Sequence, residues 1–189
     1  MNKRIHLRKA VWEDGELLFS WANDIDVRRN ALRQHEISWD EHTAWLKKKL
    51  QDADCHIYIA CVQMTDMSEK PIGQIRLDVE GGTAQIDYSI ASELRGQGYG
   101  TALVCQAQRE ADPLISRFFA RVKKSNPASV RVFEKCGFVL CGEDEECFMF
   151  EKEHTAEPVP ARPAIVICTC KSWNIACAER MRMQYEKEY

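Results

Sequence analysis

The sequence predicts an α/β fold: a mixed, mostly antiparallel central sheet flanked by helices, with a strand-helix tail behind it. Three observations lead there. Runs of period-two alternation at 55–62, 71–79 and 83–90 are interleaved with runs of helical periodicity. Gly81-Gly82 is a two-residue hairpin signal joining two of those strands. The strand at 83–90 then gives way to a glycine-rich turn and an amphipathic run at 101–111, a strand–turn–helix unit.

In chain order, residues 5–8 alternate and form a short first strand. Between 13 and 23, Leu17, Leu18, Trp21 and Ala22 fall at helical spacing. Turn-formers and two arginines break that pattern at 24–30. Ser38 is an N-cap with Glu41 completing a capping box, so a helix follows, carrying His42, Trp45, Leu46 and Lys49 on one side. His42 suits packing better than catalysis. Strands at 55–62, 71–79 and 83–90 come next. With a two-residue turn, paired residue numbers sum to 163. Arg76 then faces Asp87 and Asp78 faces Gln85, while Ile75, Leu77, Val79, Ile86 and Tyr88 make a core stripe. The helix at 101–111 stops at Pro113, and residues 117–122 are a strand. Asn126 caps another helix, with Pro127 in its first turn and Gly137 ending it. Strands at 138–141 and 146–152 finish a domain spanning 1–152. A proline-containing linker covers 153–163, and a strand and helix at 164–189 form a tail, too small to build its own core.

With 189 residues the chain can bury one sizeable core. A net charge of −3, with the two signs interspersed, implies no nucleic-acid partner. No apolar run approaches the ~20 residues of a membrane span, and the N-terminus lacks a signal-peptide core, so a cytoplasmic protein is expected. Nine cysteines, an odd and scattered set, read as buried thiols rather than disulfides or metal ligands.

The chemistry concentrates at Arg95-Gly96-Gln97-Gly98-Tyr99-Gly100. Glycines admit a ligand to the backbone, the N–H groups opening the next helix suit an anion, and Arg95 adds charge. The string lacks the Gly-Lys-Ser/Thr ending of a P-loop, and Thr101 stands where a dinucleotide fingerprint needs glycine. It fits Arg/Gln-x-x-Gly-x-Gly/Ala through Arg95, Gly98 and Gly100. Here the sequence resembles the Gcn5-related N-acetyltransferase (GNAT) superfamily, whose loop for the diphosphate of acetyl-CoA has that form. The segment from Asn126 through Ser129 to Gly137-Phe138 resembles the ribosomal-protein and amino-sugar branches, and the likeness spans about residues 3–152. Residues 165–180 loosely resemble the opening of sugar formyltransferase domains, without implying formyl transfer.

The resemblance implies the acyl-CoA N-acyltransferase fold, in which the strand before the loop and the next strand splay apart and admit pantetheine. It implies acetyl-CoA as co-substrate, held by Ser89, Ile90, Arg95, Gly96, Gln97, Gly98, Tyr99, Gly100, Thr101 and Asn126, with Ile90 N–H facing the oxyanion. Asn126 equally suits a plain helix cap. Where many relatives carry a proton-donating tyrosine, this chain has Phe133, so Ser129 is the expected acid, its alternative being a local cap bond. Asp87 is the expected base or relay, although an ion pair with Arg76 would make it a weak acceptor of protons. Arg28, Asn30, Trp45 and Arg76 are expected to bind the acceptor, and the pattern Trp21-x-Asn23-Asp24…Arg28…His42-x-x-Trp45…Gly73-x-Ile75-Arg76 resembles acetyltransferases of nucleotide-linked deoxyamino sugars. Two other readings stay open. One is a ribosomal-type protein N-terminal acetyltransferase, and the other is a non-catalytic acyl-CoA binding module.

Overall fold

The computed structural model describes residues 4–64 and 67–154; the tail at 164–189, and the linker past His154, lie outside the described residues. Seven strands form one sheet in the order β1-β2-β3-β4-β5-β7-β6. They are β1 (His6–Lys9), β2 (Cys55–Gln63), β3 (Glu69–Glu80), β4 (Thr83–Ile90), β5 (Arg117–Lys123), β6 (Val139–Glu143) and β7 (Cys147–Glu153). Helices α1 (Gly15–Ala22), α2 (Ile25–Asn30), α3 (Trp39–Gln51), α4 (Tyr99–Glu110) and α5 (Pro127–Lys135) complete the unit. None of these helices is long and apolar enough to cross a membrane.

Local signals place most elements. Ser38 Oγ accepts from Glu41 N, and the Glu41 carboxylate returns to Ser38 N, the reciprocal bonds of a capping box at the start of α3. The β3–β4 hairpin has the expected register, with Arg76 opposite Asp87 and Asp78 opposite Gln85. Its turn glycines have φ of 54° and 78°, as a type I′ turn requires.

One segment differs from expectation. Residues 25–30, read as a turn, form α2, because Asp24 Oδ1 caps it by accepting from Asp26 N and Val27 N, both at 3.1 Å. Six residues are too few to show periodicity, so Asp24 reads as a turn-former instead of a cap.

The sheet is packed along one face and, at β2, on the other as well. A large cluster including Ile75, Leu77, Leu103, Phe118 and Phe133 packs the sheet against α4 and α5. A smaller one, of Leu18, Leu46, Ile57, Ile59 and Cys61, fills the opposite face of β2 beneath α1 and α3. Alternate residues of β2 feed the two clusters, so the strand is apolar on both sides. The six described cysteines are free thiols, and Cys105 and Cys136 bring their sulfurs to 3.2 Å. The sheet is interrupted at one place. β4 and β5 run parallel but pair only at Thr83/Arg117, Ala84/Phe118 and Gln85/Phe119, then diverge. From Ile86 onward β4 has a partner on its β3 side only.

Candidate active site

The opening between β4 and β5 is where the backbone has something to offer. Side-chain and N–H directions alternate along a strand. Ala91 N–H donates to Ile72 O at 2.9 Å, on the β3 side, so the N–H of Ile90 turns the other way, into the gap. Ser89 O lies close against Gly73 on β3. Of the two strand residues expected to hold the co-substrate, therefore, only Ile90 turns its N–H into the gap, and Ser89, like Ala91 beyond it, is committed to the sheet.

Beyond β4 the chain makes a single turn at Ser92–Leu94 and enters the glycine loop. Gly96 and Gly98 have φ of 73° and 86°, and a Cβ on either would meet no protein atom within 4 Å. Glycine is required there by conformation, and the space above the backbone stays open. Gly98 caps α4 without a side chain, and the first helical bond runs from Ala102 N to Gly98 O at 3.2 Å. The N–H groups of Gly100 and Thr101 thus lack helical acceptors, a seat for a diphosphate at the positive end of the helix.

The side chains of the other loop residues are engaged within the protein. Arg95 is not poised to contact phosphate. It donates from Nε to Ile90 O at 3.0 Å, and pairs with Asp24 at 2.6 Å and Asp26 at 3.1 Å. It latches the loop to the start of α2. Gln97 turns back to donate to Glu93 O, and the ring of Tyr99 packs against the main core. Gly100 is small for a protein neighbour: a Cβ would sit 3.3 Å from Tyr88 Cε2 and from Val132 Cγ2.

Tyr88, read from sequence as core, reaches the site. Its hydroxyl lies 3.0 Å from Ser129 Oγ, and burial pushes the phenol up to about 12. Asn126 Oδ1 accepts from Ser129 N at 3.1 Å, while its Nδ2 donates to Ser129 Oγ at 3.2 Å. Asn126 is therefore a helix cap, and also a brace for the serine.

These groups line a cleft of about 1020 Å³ that continues toward α2 and α3. Arg76 pairs tightly with Asp78 at 2.7 Å and more loosely with Asp87 at 3.8 Å. Lys49 holds the other Asp78 oxygen at 2.6 Å. Asp87, its side chain 55 % exposed, is left with only a 3.2 Å bond from Gln74 Nε2 besides that loose contact. The Arg76 guanidinium lies 5.4 Å over the Trp45 ring. Asn30 donates to Asp26 O, within its own helix. His42 is buried, 3.0 Å from Gly15 O and packed among Phe19, Trp39 and Trp45; burial lowers its pKa and leaves it neutral.

Of the cleft cations that are not fully exposed, two have no carboxylate within salt-bridge distance among the described residues. Lys123, 8 % exposed, donates from Nζ only to Arg29 O at 3.2 Å. Arg28 bonds the carbonyls of Arg33 and His35, but its Nε is buried without a partner, and burial lowers its pKa. Sequence reasoning missed Lys123 because nothing marks a lysine at a strand end as buried. At the far edge of the sheet, ligand atoms of His6, Cys61 and Glu69 lie within 4.8 Å of one another. Arg8 adjoins that thiol, and its charge disfavours a cation there.

No curated protein sequence matches this chain. Solved structures do. A domain from Methanocaldococcus jannaschii superposes with a TM-score of 0.71 at 19 % identity, over 79 % of this chain and 98 % of that one. Spermidine N-acetyltransferase from Vibrio cholerae, in complex with CoA and spermine, gives 0.70 at 19 % identity, over 79 % and 95 %. Aminoglycoside acetyltransferase AAC(6')-Ib in complex with coenzyme A gives 0.67 at 20 %, again over 79 % and 95 %. At these identities the likeness establishes the fold. The acetyltransferase (GNAT) domain family matches residues 4–139, most of the chain and both halves of the cleft. With that match and the glycine loop, opened sheet and helix start all in place, the chain belongs to the GNAT family and is an acetyl-CoA-dependent N-acetyltransferase.

Proposed function

We propose that this enzyme acetylates the amino group of a nucleotide-linked deoxyamino sugar, of the kind built into bacterial surface glycans. The observation that carries the reading is the charge of the acceptor end of the cleft, where Lys123 is withdrawn from water, the Nε of half-exposed Arg28 is buried without a partner, and neither cation has a carboxylate within salt-bridge distance among the described residues. Buried cations are held at a cost that an anionic ligand offsets. A nucleoside diphosphate supplies that charge, and Trp45 offers apolar surface for the base or sugar. The polyamines and aminoglycosides named for the two structural relatives are cations, which such a lining repels.

In this reading acetyl-CoA lies with its diphosphate on the start of α4 and its thioester in the gap beside Ile90. The Ile90 N–H stabilises the oxyanion that forms as the amine adds. Asp87, exposed in the cleft and only loosely tied to Arg76, accepts the amine proton directly or through water. Ser129 gives its hydroxyl proton to the departing sulfur. Replacing Ser129 with alanine should lower kcat by at least about tenfold while acetyl-CoA affinity holds, since the lost proton transfer belongs to the chemical step. An unaltered kcat would remove Ser129 from the mechanism.

The acceptor is tested by measuring thiol release from acetyl-CoA with UDP- and dTDP-linked amino sugars, a set of peptide N-termini, spermidine and an aminoglycoside. Turnover is expected with a nucleotide amino sugar. Turnover with spermidine or the aminoglycoside and none with the nucleotide sugars would overturn the acceptor class.

A further inference from the structure

The hydroxyl of Ser129 has two lone pairs and one hydrogen, and its neighbours decide where the hydrogen goes. Ser129 N–H donates to Asn126 Oδ1, which fixes the orientation of that amide and leaves Nδ2 as a donor to Ser129 Oγ. One lone pair is thereby occupied. Tyr88 OH is the second neighbour, at 3.0 Å, and among the described residues Ser129 Oγ is the one polar atom bonded to that phenol. A half-buried phenol with an acceptor already at hydrogen-bond distance donates to it.

The tyrosine ring is held for this purpose from two sides. Gly100 lacks the Cβ that would stand 3.3 Å from Tyr88 Cε2, and Phe133 packs edge-on at 5.8 Å. The phenol also spans the opening, since Tyr88 is on β4 and Ser129 is in the first turn of α5.

We propose that Tyr88 is a positioning residue: by donating to Ser129 Oγ alongside Asn126 Nδ2, it fills both serine lone pairs and directs the serine hydrogen into the gap between β4 and β5. This rests on the reading of Ser129 as the acid. As the carbonyl carbon–sulfur bond breaks, its electron pair leaves with sulfur, and sulfur takes the Ser129 hydrogen. The proton given up by the newly acylated nitrogen returns through solvent to restore the serine hydroxyl. Tyr88 keeps its own hydrogen throughout. Its half-buried phenol, which holds its proton at neutral pH, agrees with a donor that orients without ionising.

A double-mutant cycle tests this, with Tyr88→Phe, Ser129→Ala and the combination. The readout is thiol release from acetyl-CoA with the fastest acceptor of the panel above, or with hydroxylamine, which needs no recognition, if the panel yields none. Titration with acetyl-CoA and thermal melting are run on each variant. Tyr88→Phe preserves the ring, so the fold should persist. Its kcat should fall by about fivefold to tenfold with acetyl-CoA affinity unchanged, the loss of one orienting hydrogen bond. In the Ser129→Ala background it should cost nothing further. A Tyr88→Phe enzyme with full kcat, or one equally impaired with and without Ser129, would overturn the proposal. If Ser129→Ala alone leaves kcat intact, the failure lies with the acid itself, and the two results cannot be confused.

Discussion

Replacing Gly98 with aspartate should cost about 100-fold or more in acetyl-CoA affinity while the protein still folds. The backbone there has φ of 86°, and an added Cβ meets no protein atom within 4 Å. The cost to stability is confined to left-handed strain, about 1–2 kcal/mol, and aspartate tolerates that region better than most residues. Gly98 is also the N-cap of α4, where an aspartate carboxylate can accept from the N–H groups of the first turn. Those N–H groups are the ones the diphosphate needs. The carboxylate would therefore occupy the anion seat and repel the ligand that belongs there. Losing two charge-assisted hydrogen bonds at about 1.5–3 kcal/mol each exceeds the roughly 2.7 kcal/mol of a 100-fold change. Gly98→Ala separates the contributions, since it carries the strain without the charge and should bind acetyl-CoA better than the aspartate variant. Calorimetric titration measures both. An aspartate variant that binds acetyl-CoA as the parent does would mean the helix start is not where the diphosphate sits.

How much of this was legible in the sequence follows from the distance over which each interaction acts. The α3 capping box spans three residues and the β3–β4 hairpin needs two turn glycines, so both could be read with their register. The glycine loop could be read as a whole because its residues are contiguous. What it does in detail could not. Arg95 was expected to meet phosphate, yet its carboxylate partners are 71 and 69 residues away, on a helix the sequence did not reveal. Tyr88 carries the alternation of a core strand, and nothing in that pattern announces a hydroxyl partner 41 residues on. Cross-strand register sets Arg76 opposite Asp87, and the two pair at 3.8 Å, but Asp78 lies on the same face of the same strand and is nearer, at 2.7 Å. With Lys49 reaching in from α3, Asp78 became the better partner. Sheet register is a local property; which of two carboxylates takes a guanidinium is settled by a third element.

Lys123→Met should move stability and function in opposite directions. The lysine is buried at the end of β5, and its ammonium donates only to Arg29 O, 94 residues earlier in the chain. A charge kept from water by one carbonyl is poorly compensated, and an apolar side chain of similar length should fit as well or better, by about 1–2 kcal/mol. For a chain of this size the melting temperature should rise by roughly 2–4 °C per kcal/mol. The acceptor should suffer. A hydrogen bond from an ammonium to a phosphate is worth about 1.5–3 kcal/mol, so KM for a nucleotide amino sugar should rise about tenfold to 100-fold. A small neutral acceptor such as hydroxylamine should not distinguish the variant from the parent. That crossing of signs separates a binding residue from a structural one, because sites that hold unpaired charge for a ligand are where stability is given up for function. If the methionine variant melts lower and handles the nucleotide sugar unchanged, then Lys123 serves only to tie α2 to the sheet. The anionic acceptor would then lose its main support, and Arg28 alone would be too exposed to carry it.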